Sequence, residues 1–431
     1  MTAPLLRVAT AGSVDDGKST LIGRLLWDSK AIFQDQVDAV TAAAESRGQQ
    51  GVNLAMLTDG LRAERDQGIT IDVAYRYFAT PRRRFILADT PGHVEYTRNM
   101  VTGASTADVA VILIDARHGV VEQSRRHAAI ASLLGVPRVV VAVNKMDLVG
   151  WDKGVFDVIA KEFRAFVSGL SIDEMTFIPL SALAGDNVVT ASTHMHWYDG
   201  PPLLTFLEGV PAAVDDPEEG VRLPVQWADG SRIAGRIVAG VLRPGDEVVV
   251  LPSGAVTTVA SIDTYEATLD AAGPNLSITV QLADDVVVER GDLVCHVGHL
   301  PATGDRLEAM VCWLAEEPLV PNTSYRLKHT TRWCDATVEN VVHRLDIETL
   351  DRDEHPAHLG LNDIGQLSLR LSTPLAVDPY HHHRGTGSFI LVDPVTNATV
   401  AAGMVLAIGA SAVDITDQAD SPGVLVGVSP A

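Results

Sequence analysis

The residues Gly12, Ser13, Val14, Asp15, Asp16, Gly17, Lys18 and Ser19 fit the spacing G-x4-G-K-[ST], which suits a polyphosphate. The glycines let backbone N–H groups curl round a phosphate with no Cβ in the way. A helix beginning where the loop ends, with Thr20 in its first turn, adds the positive end of its dipole. Lys18 can reach the β- and γ-phosphates, and Ser19 offers a hydroxyl to Mg²⁺. Asp89-Thr90-Pro91-Gly92-His93 adds a carboxylate, Asp89, able to hold Mg²⁺ through water, and a Gly92 amide for the γ-phosphate. Asn144-Lys145-Met146-Asp147 and Ser181-Ala182-Leu183 suit a base. The Asp147 carboxylate can accept both N1–H and N2–H₂ of guanine, Asn144 can face the O6/N7 side, Lys145 can pack its stem over the ring, and the Ala182 amide can donate to O6. Adenine lacks that donor pair, and losing two charge-assisted hydrogen bonds costs roughly 3–6 kcal/mol. That is on the order of 10²–10⁴-fold in affinity. The expected ligands are therefore GTP and Mg²⁺.

A hydrolytic set surrounds the terminal phosphate. Asp66-Gln67-Gly68-Ile69-Thr70-Ile71-Asp72 puts Thr70 where it completes the metal shell with Ser19 and Asp89. The segment before it then reads as a switch, ordered by triphosphate and released by hydrolysis. His93, directly after Gly92, is the candidate for orienting the attacking water, with Lys18 and Thr70 completing the catalytic set. Val14 and Ile69 form an apolar screen that keeps His93 away until a partner moves it. Asp15 and Asp16 sit inside an anion-binding loop; Asp15 is expected to act through a cation or backbone contact and Asp16 to face a partner.

These loops need a rim to converge on. Leu5–Ala11 reads as a first strand and Ser19–Leu26 as a helix with Leu21, Ile22, Leu25 and Leu26 on one face. Phe85–Ala88, Val109–Ile114, Val139–Val143 and Phe177–Leu180 are bare of charge, as strands buried on both faces should be. A further strand is expected over Ile71–Phe78. Intervening segments are long enough for crossover helices, so the first part is an α/β, mostly parallel sheet whose ligand loops share the strands' carboxyl ends. The acidic, proline-bearing stretch PAAVDDPEEG over Pro211–Gly220 reads as a linker. Short valine-rich runs follow, including Val248–Leu251 and Val286–Glu289, with turns and no room for crossovers, so two all-β barrels are expected. The expected domains are a P-loop GTP-binding domain over 1–210, barrels over 221–303 and 304–416, and a tail over 417–431.

The chain has 431 residues, 46% of them hydrophobic, with 33 Lys+Arg against 55 Asp+Glu and a formal charge of −22. Disorder as the main state is excluded, and the charge argues against affinity by blanketing nucleic acid or anionic membrane with positive charge, though not against a local basic patch. Cys295, Cys312 and Cys334 show no C-x-x-C spacing and read as reduced, buried thiols. The N-terminus reads as a strand, not a signal peptide, which points to the cytoplasm. Pro394–Val413 is uncharged but broken by Pro394, Asn397 and Gly403, so it reads as two strands about a turn at Asn397. His381-His382-His383 reads as a solvated loop.

GSVDDGKS, QGITID, DTPGH, NKMD and SAL, followed by two barrels, resemble the translation-factor superfamily of GTPases. Those factors usually have His at the positions of Ser13 and Asp16, and Arg at that of Gln67. The longer strings GSVDDGKSTLIGRLLWDSK, DGLRAERDQGITIDVAYRYF and DTPGHVEYTRNMVTGAS are similar to the large, GTPase subunits of bacterial two-subunit sulfate adenylyltransferase, and the likeness continues through PVQW, RPGDEVVVLPSG and RGDLV. The resemblance implies coupling of GTP hydrolysis to formation of adenylyl sulfate and pyrophosphate from ATP and sulfate. The adenylyl-transfer residues would lie in a small partner subunit, with no nucleic acid and no membrane as partner. It also implies no fused adenylyl-sulfate kinase, since no second phosphate loop follows residue 200. The segment Trp227–Gly235 is short for the family. The other reading is an elongation-factor-type GTPase binding tRNA or the ribosome; Gln67, Asp16 and the strings YRYF and YTRNM favour the first.

Overall fold

The computed structural model describes residues 5–29, 73–92, 97–211, 220–347 and 349–409. A six-stranded sheet comes first: β1 (Leu5–Gly12), β2 (Ala74–Ala79), β3 (Arg84–Asp89), β4 (Val109–Asp115), β5 (Arg138–Asn144) and β6 (Glu174–Pro179). The order is β2-β3-β1-β4-β5-β6, parallel except for β2. β2 starts at Ala74; Ile71 and Asp72, included in the expected strand, lie outside the described residues. Every residue of β4 is buried, which is why its sequence carries no polar alternation.

Helices cover both faces. α1 (Lys18–Asp28) packs Leu21, Ile22, Leu25 and Leu26 against Val8, Leu87 and Val111. α5 (Leu203–Gly209) closes the same face through Leu203, Leu204 and Leu207. On the other side lie α2 (Thr97–Ala104), α3 (Glu122–Leu133) and α4 (Lys153–Val167), with Met100, Ile130 and Phe163 buried against Ile112 and Val141. Arg83, buried in the β2–β3 turn, donates to the Leu207 carbonyl at 3.4 Å and to that of Val210. A cation thus caps the carboxyl end of α5, favourable to the helix dipole. Residues 212–219 of the expected linker lie outside the described residues.

The next strands are β7 (Arg222–Asp229), β8 (Arg232–Arg236), β9 (Glu247–Leu251), β10 (Ala255–Asp263), β11 (Ser277–Leu282) and β12 (Leu293–His296). They close as a barrel around Leu223, Ile233, Val250, Ile262 and Val280. The short segment after PVQW is a tight β7–β8 hairpin with Gly230 at φ 56°. Val286–Glu289 forms no strand: Val287 is exposed, Val288 joins the barrel core and Val286 packs against it half-buried. The run has valines but no partner strand on which to alternate.

The last group is β13 (Ala302–Trp313), β14 (Ser324–His329), β15 (Arg332–Leu345), β16 (Arg352–Asp353), β17 (Ile364–Val377), β18 (Ser388–Val392) and β19 (Thr399–Gly409). Pairing of β14 with both β15 and β18 closes six of them into a ring, with β16 appended to β15. β13 already begins at Ala302, where Ala302 pairs Val377, slightly ahead of the expected boundary at 304. β18 and β19 flank a turn holding Asn397 at φ 58°, the hairpin expected of the uncharged stretch. No described helix is long and apolar enough to cross a membrane. All three cysteines are free and buried; burial pushes the thiols of Cys295 and Cys312 up to about 12 and that of Cys334 up to about 11. Such thiols are packing groups rather than nucleophiles.

The two barrels are joined by a buried ion pair. Arg222 Nε and Nη2 donate to the Asp378 carboxylate at 2.8 and 2.9 Å, and Thr386 Oγ1 donates to it at 2.5 Å. Burial alone would push the Asp378 carboxyl up, but Arg222 and Thr386 hold it below its ordinary value. Removing one partner of such a pair leaves a buried charge alone. Arg222→Ala is therefore expected to lower stability by about 3–5 kcal/mol, measured by chemical denaturation, while Arg222→Leu with Asp378→Leu recovers most of that loss. A single variant as stable as wild type would show that the pair does not hold the barrels together.

Candidate functional site

The carboxyl ends of β1, β3, β4 and β5 carry the polar segments, because successive parallel strands end at one rim of the sheet. Gly12 ends β1, Asp89 ends β3, Asp115 ends β4 opposite Asn144, and Asn144 ends β5. The Ser181 loop follows β6. Expected site residues from four separate stretches of sequence are thereby brought to one edge.

The phosphate loop folds over its own lysine. Lys18 Nζ donates to the carbonyls of Gly12 (2.8 Å) and Ser13 (2.9 Å), and burial pushes its ammonium below the ordinary lysine value despite the nearby carboxylates of Asp89, Asp16 and Asp15. Gly17 begins α1 at φ 95°, and a Cβ there would lie 2.5 Å from Asn144 Nδ2, so glycine is required on both counts. Gly92 approaches equally closely: a Cβ would lie 2.6 Å from Lys18 Nζ and 2.8 Å from the Gly12 carbonyl. Ser19 and Thr20 are half-buried in the first turn of α1, and Val14 is exposed.

Asp16 differs from its expectation. It is buried rather than facing outward, and Ser13 N–H donates to its Oδ2 at 2.6 Å. Burial raises its carboxyl above the ordinary value, with the Ser13 hydrogen bond and Lys18 opposing. A short acidic side chain reaching back to the amide three residues earlier turns the carboxylate into the loop. Asp15, at φ 66° and exposed, meets a cation through its backbone: Lys145 Nζ donates to its carbonyl.

Asp89 is buried, and Thr10 Oγ1 donates to its Oδ1 at 3.2 Å. Thr90 is buried with its hydroxyl on the Thr10 carbonyl at 2.6 Å, and Pro91 and Gly92 are buried beside it. His93, Thr70, Ile69 and Gln67 lie outside the described residues.

The base loops are bound to the phosphate loop by side chains. Asn144 Nδ2 donates to the Asp16 carbonyl at 2.7 Å, while its Oδ1 accepts from Lys145 N–H at 2.8 Å and Ala182 N–H at 2.9 Å. This corrects two expectations: the Asn144 amide is engaged within the protein, and the Ala182 amide points to Asn144 rather than being free for a base. A buried carboxamide satisfies its neighbours' backbone groups first, because each orphan would cost about 1–3 kcal/mol. Met146 is a core residue, wholly buried, whereas Asp147 is half-buried in the single turn Met146–Val149. Ser181 is buried with its Oγ accepting from Ala184 N–H at 3.1 Å, and Leu183 is exposed.

Three residues escaped the motif reading. Arg24 on α1 donates to the Ala182 carbonyl at 3.2 Å and to that of Leu183. Asp115 and Arg117 form a close ion pair, 2.6 Å at its shortest, and Lys145 Nζ lies 2.9 Å from the same carboxylate. Asp115 was visible as the carboxylate that ends a charge-free run; Arg24, half-buried, had no signal beyond its place on the helix.

Among the described residues no group of three or more His, Cys, Asp or Glu is arranged to hold a metal, and His381 and His382 are exposed. The oxygens of Ser19 and Asp89 are hard donors at the rim, of the chemistry Mg²⁺ takes when phosphate oxygens complete its shell.

Residues 3–216 match the family model of the elongation factor Tu GTP-binding domain, and residues 306–406 match the GTP-eEF1A C-terminal domain-like family. The chain is 53% identical over 412 residues to a bifunctional enzyme CysN/CysC of Mycobacterium tuberculosis, covering 93% of this chain and 67% of that protein. It is 50% identical to sulfate adenylyltransferase subunit 1 of Aeromonas hydrophila over 93% of this chain and 86% of that one. The counterpart from Laribacter hongkongensis is 48% identical, with 94% and 85% covered. The chain belongs to the sulfate adenylyltransferase subunit 1 family. Its GTP-binding domain is of the elongation-factor Tu type, and the rim built by Lys18, Asn144 and their neighbours lies within it.

Beneath this rim α3 holds His127, fully buried with Nδ1 unpartnered. Burial, reinforced by Lys18 and Arg126, pushes its imidazole down to about 3. The unfolded chain therefore binds a proton near pH 6.5 that the folded one refuses. Stability from this group is complete above pH 6.5 and falls with pH by up to about 1.4 kcal/mol per unit until pH 3. His127→Gln is expected to flatten the fall of melting temperature between pH 6.5 and 5, a window above most carboxylate titrations. An unaltered slope would mean that His127 is not buried neutral.

Proposed function

We propose that the chain binds GTP with Mg²⁺ at this rim and hydrolyses it to drive formation of adenylyl sulfate and pyrophosphate from ATP and sulfate on a small adenylyl-transferring partner subunit. The observation that supports it most is the joining of the phosphate loop, the Asn144 loop and the Ser181 loop by one buried carboxamide, in a chain of this family. A polyphosphate and its base need both ends of such a rim at a fixed separation. The three domains are read as 1–210, 221–303 and 304–416, in a cytoplasmic protein.

In this reading Gly12–Ser19 wrap the phosphates, and Lys18 leaves its loop carbonyls for the β- and γ-phosphates. Ser19, Asp89 and Thr70 hold Mg²⁺, which neutralises charge on the phosphate oxygens. Asp147 accepts the guanine N–H donors, and Lys145 lines the base. His93 orients the attacking water, and Val14 with Ile69 screens it. Coupling is chemically sensible because the phosphoric–sulfuric anhydride is thermodynamically unfavourable to form, and a second hydrolysis offsets it.

GTP turnover, measured with and without the neighbouring-gene product, is expected to rise when ATP and sulfate join the complex. Stimulation by ribosomes instead would favour the elongation-factor reading and sink this one. Asp147→Asn should shift preference from GTP toward xanthosine triphosphate, with GTP affinity falling about 10²–10⁴-fold; undiminished selectivity for guanine in a competition titration would remove Asp147 from base recognition.

A further inference from the structure

Asp115 is a residue that none of the phosphate or base motifs uses, yet it sits at the centre of the rim. It ends β4 in register with Asn144, and its side chain is 1% exposed. Arg117 Nε donates to Oδ1 and Oδ2 at 3.0 and 3.2 Å, Arg117 Nη2 donates to Oδ2 at 2.6 Å, and Arg117 N–H donates to Oδ1 at 2.9 Å. Lys145 Nζ reaches the same Oδ2 at 2.9 Å and also donates to the carbonyl of Asp15 in the phosphate loop. His118 Nδ1, exposed, stands 3.7 Å from Oδ2.

A lysine side chain is a flexible stem with a strongly hydrated head. Held by one neutral carbonyl it would sample many rotamers. Held by a buried carboxylate as well, it has one posture, bridging from the base loop to the phosphate loop. The carboxylate needs its own restraint, and the Arg117 fork supplies one in the geometry that matches it. Arg117 also lies within the field of Asp147 and Asp15, at the outer edge of the same rim.

We infer that Asp115, gripped by Arg117, is a positioning residue for nucleotide binding: it fixes Lys145 across the phosphate loop and so sets the separation between the base and phosphate subsites. The inference rests on the reading of the rim as a GTP site. It differs from that reading in its signature. Base, ribose and the inner phosphates are common to GTP and GDP, so the anchor acts on both alike, whereas a group that senses the γ-phosphate acts on GTP alone.

The test is the release rate of fluorescent GDP and of a fluorescent non-hydrolysable GTP analogue from the full chain. Asp115→Asn keeps the shape and removes the charge; release of both is expected to quicken tenfold or more and by the same factor, with the loss in turnover appearing in KM rather than kcat. Lys145→Met should quicken release comparably, and the double variant should be no worse than the worse single one, because both break one link. Asp147→Asn, acting on the base itself, should multiply with Asp115→Asn. Arg117→Ala, at a half-exposed side chain, gives a second variant should Asp115→Asn misfold; it should quicken release less, and Arg117→Lys should restore most of the difference. Wild-type release from Asp115→Asn, or full additivity with Lys145→Met, overturns the inference. A wild-type chain that retains neither nucleotide overturns the GTP reading and this inference with it, whereas tight wild-type binding with an indifferent Asp115→Asn overturns the inference alone.

Discussion

The Asn144 carboxamide is the constraint on which the rim depends. It is buried, and its three hydrogen bonds run to Asp16, Lys145 and Ala182, residues from three different loops. No aliphatic side chain could replace it without orphaning two N–H groups and a carbonyl at once. The surrounding residues are chosen to permit that bridge. Gly17 leaves room for Nδ2, and the Lys145 N–H turns back on Oδ1 in a residue of left-handed conformation, φ 63°. Arg24 then ties the far side of the Ser181 loop to α1 by two backbone carbonyls. Phosphate loop and base loops are therefore one unit.

Charge at the rim follows a second rule. A chain of net charge −22 must gather cations where it is to meet a polyanion. Lys18, Lys145 and Arg117 stand there, each balanced meanwhile by protein oxygens: loop carbonyls for Lys18, Asp115 for the other two. Burial would push the Asp115 carboxyl up, yet the hydrogen bonds from Arg117 and Lys145 hold it far below the ordinary carboxylate range. Asp16 goes the other way, raised by burial. Two acids of one site thus have opposite tendencies, set by whether two cations or one amide hydrogen bond is the close partner.

Sequence patterns revealed those parts of the molecule whose physics is local. Val109–Ile114 and Val139–Val143 read as buried parallel strands because both faces of such a strand are apolar, and β4 and β5 extend them by only a residue or so. G-x4-G-K-S is legible because a phosphate cradle needs glycine at fixed positions. What was not legible depends on partners distant in sequence. The Ala182 amide reads as free until Asn144 is seen beside it, and Asp16 reads as outward until the loop closes on Ser13 N–H. Val286–Glu289 has the composition of a strand, but strands are made by neighbours, and none lies alongside. Arg83 and Arg222 look like surface charges, whereas each is buried on a distant carbonyl or carboxylate.

Those distant contacts also decide how the second barrel relates to the rim. The carboxyl end of α3 leaves carbonyls that the helix itself cannot satisfy. Tyr380 Oη donates to the Leu134 carbonyl at 3.0 Å, and Arg384 donates to the Gly135 carbonyl and, at 3.1 Å, to that of Ala107. The barrel therefore acts as the cap of α3, with a cation where the helix dipole is negative. Cys312, Ile364 and Met404 join the apolar cluster under the same helix. Midway along, α3 carries His127, which feels the charge of Lys18. One three-turn helix thus lies near Lys18 of the rim and is capped by the barrel. A barrel that moved away would uncover apolar side chains and take the donors from three carbonyls together, so its posture and that of α3 are coupled by packing and hydrogen bonding rather than by a flexible tether.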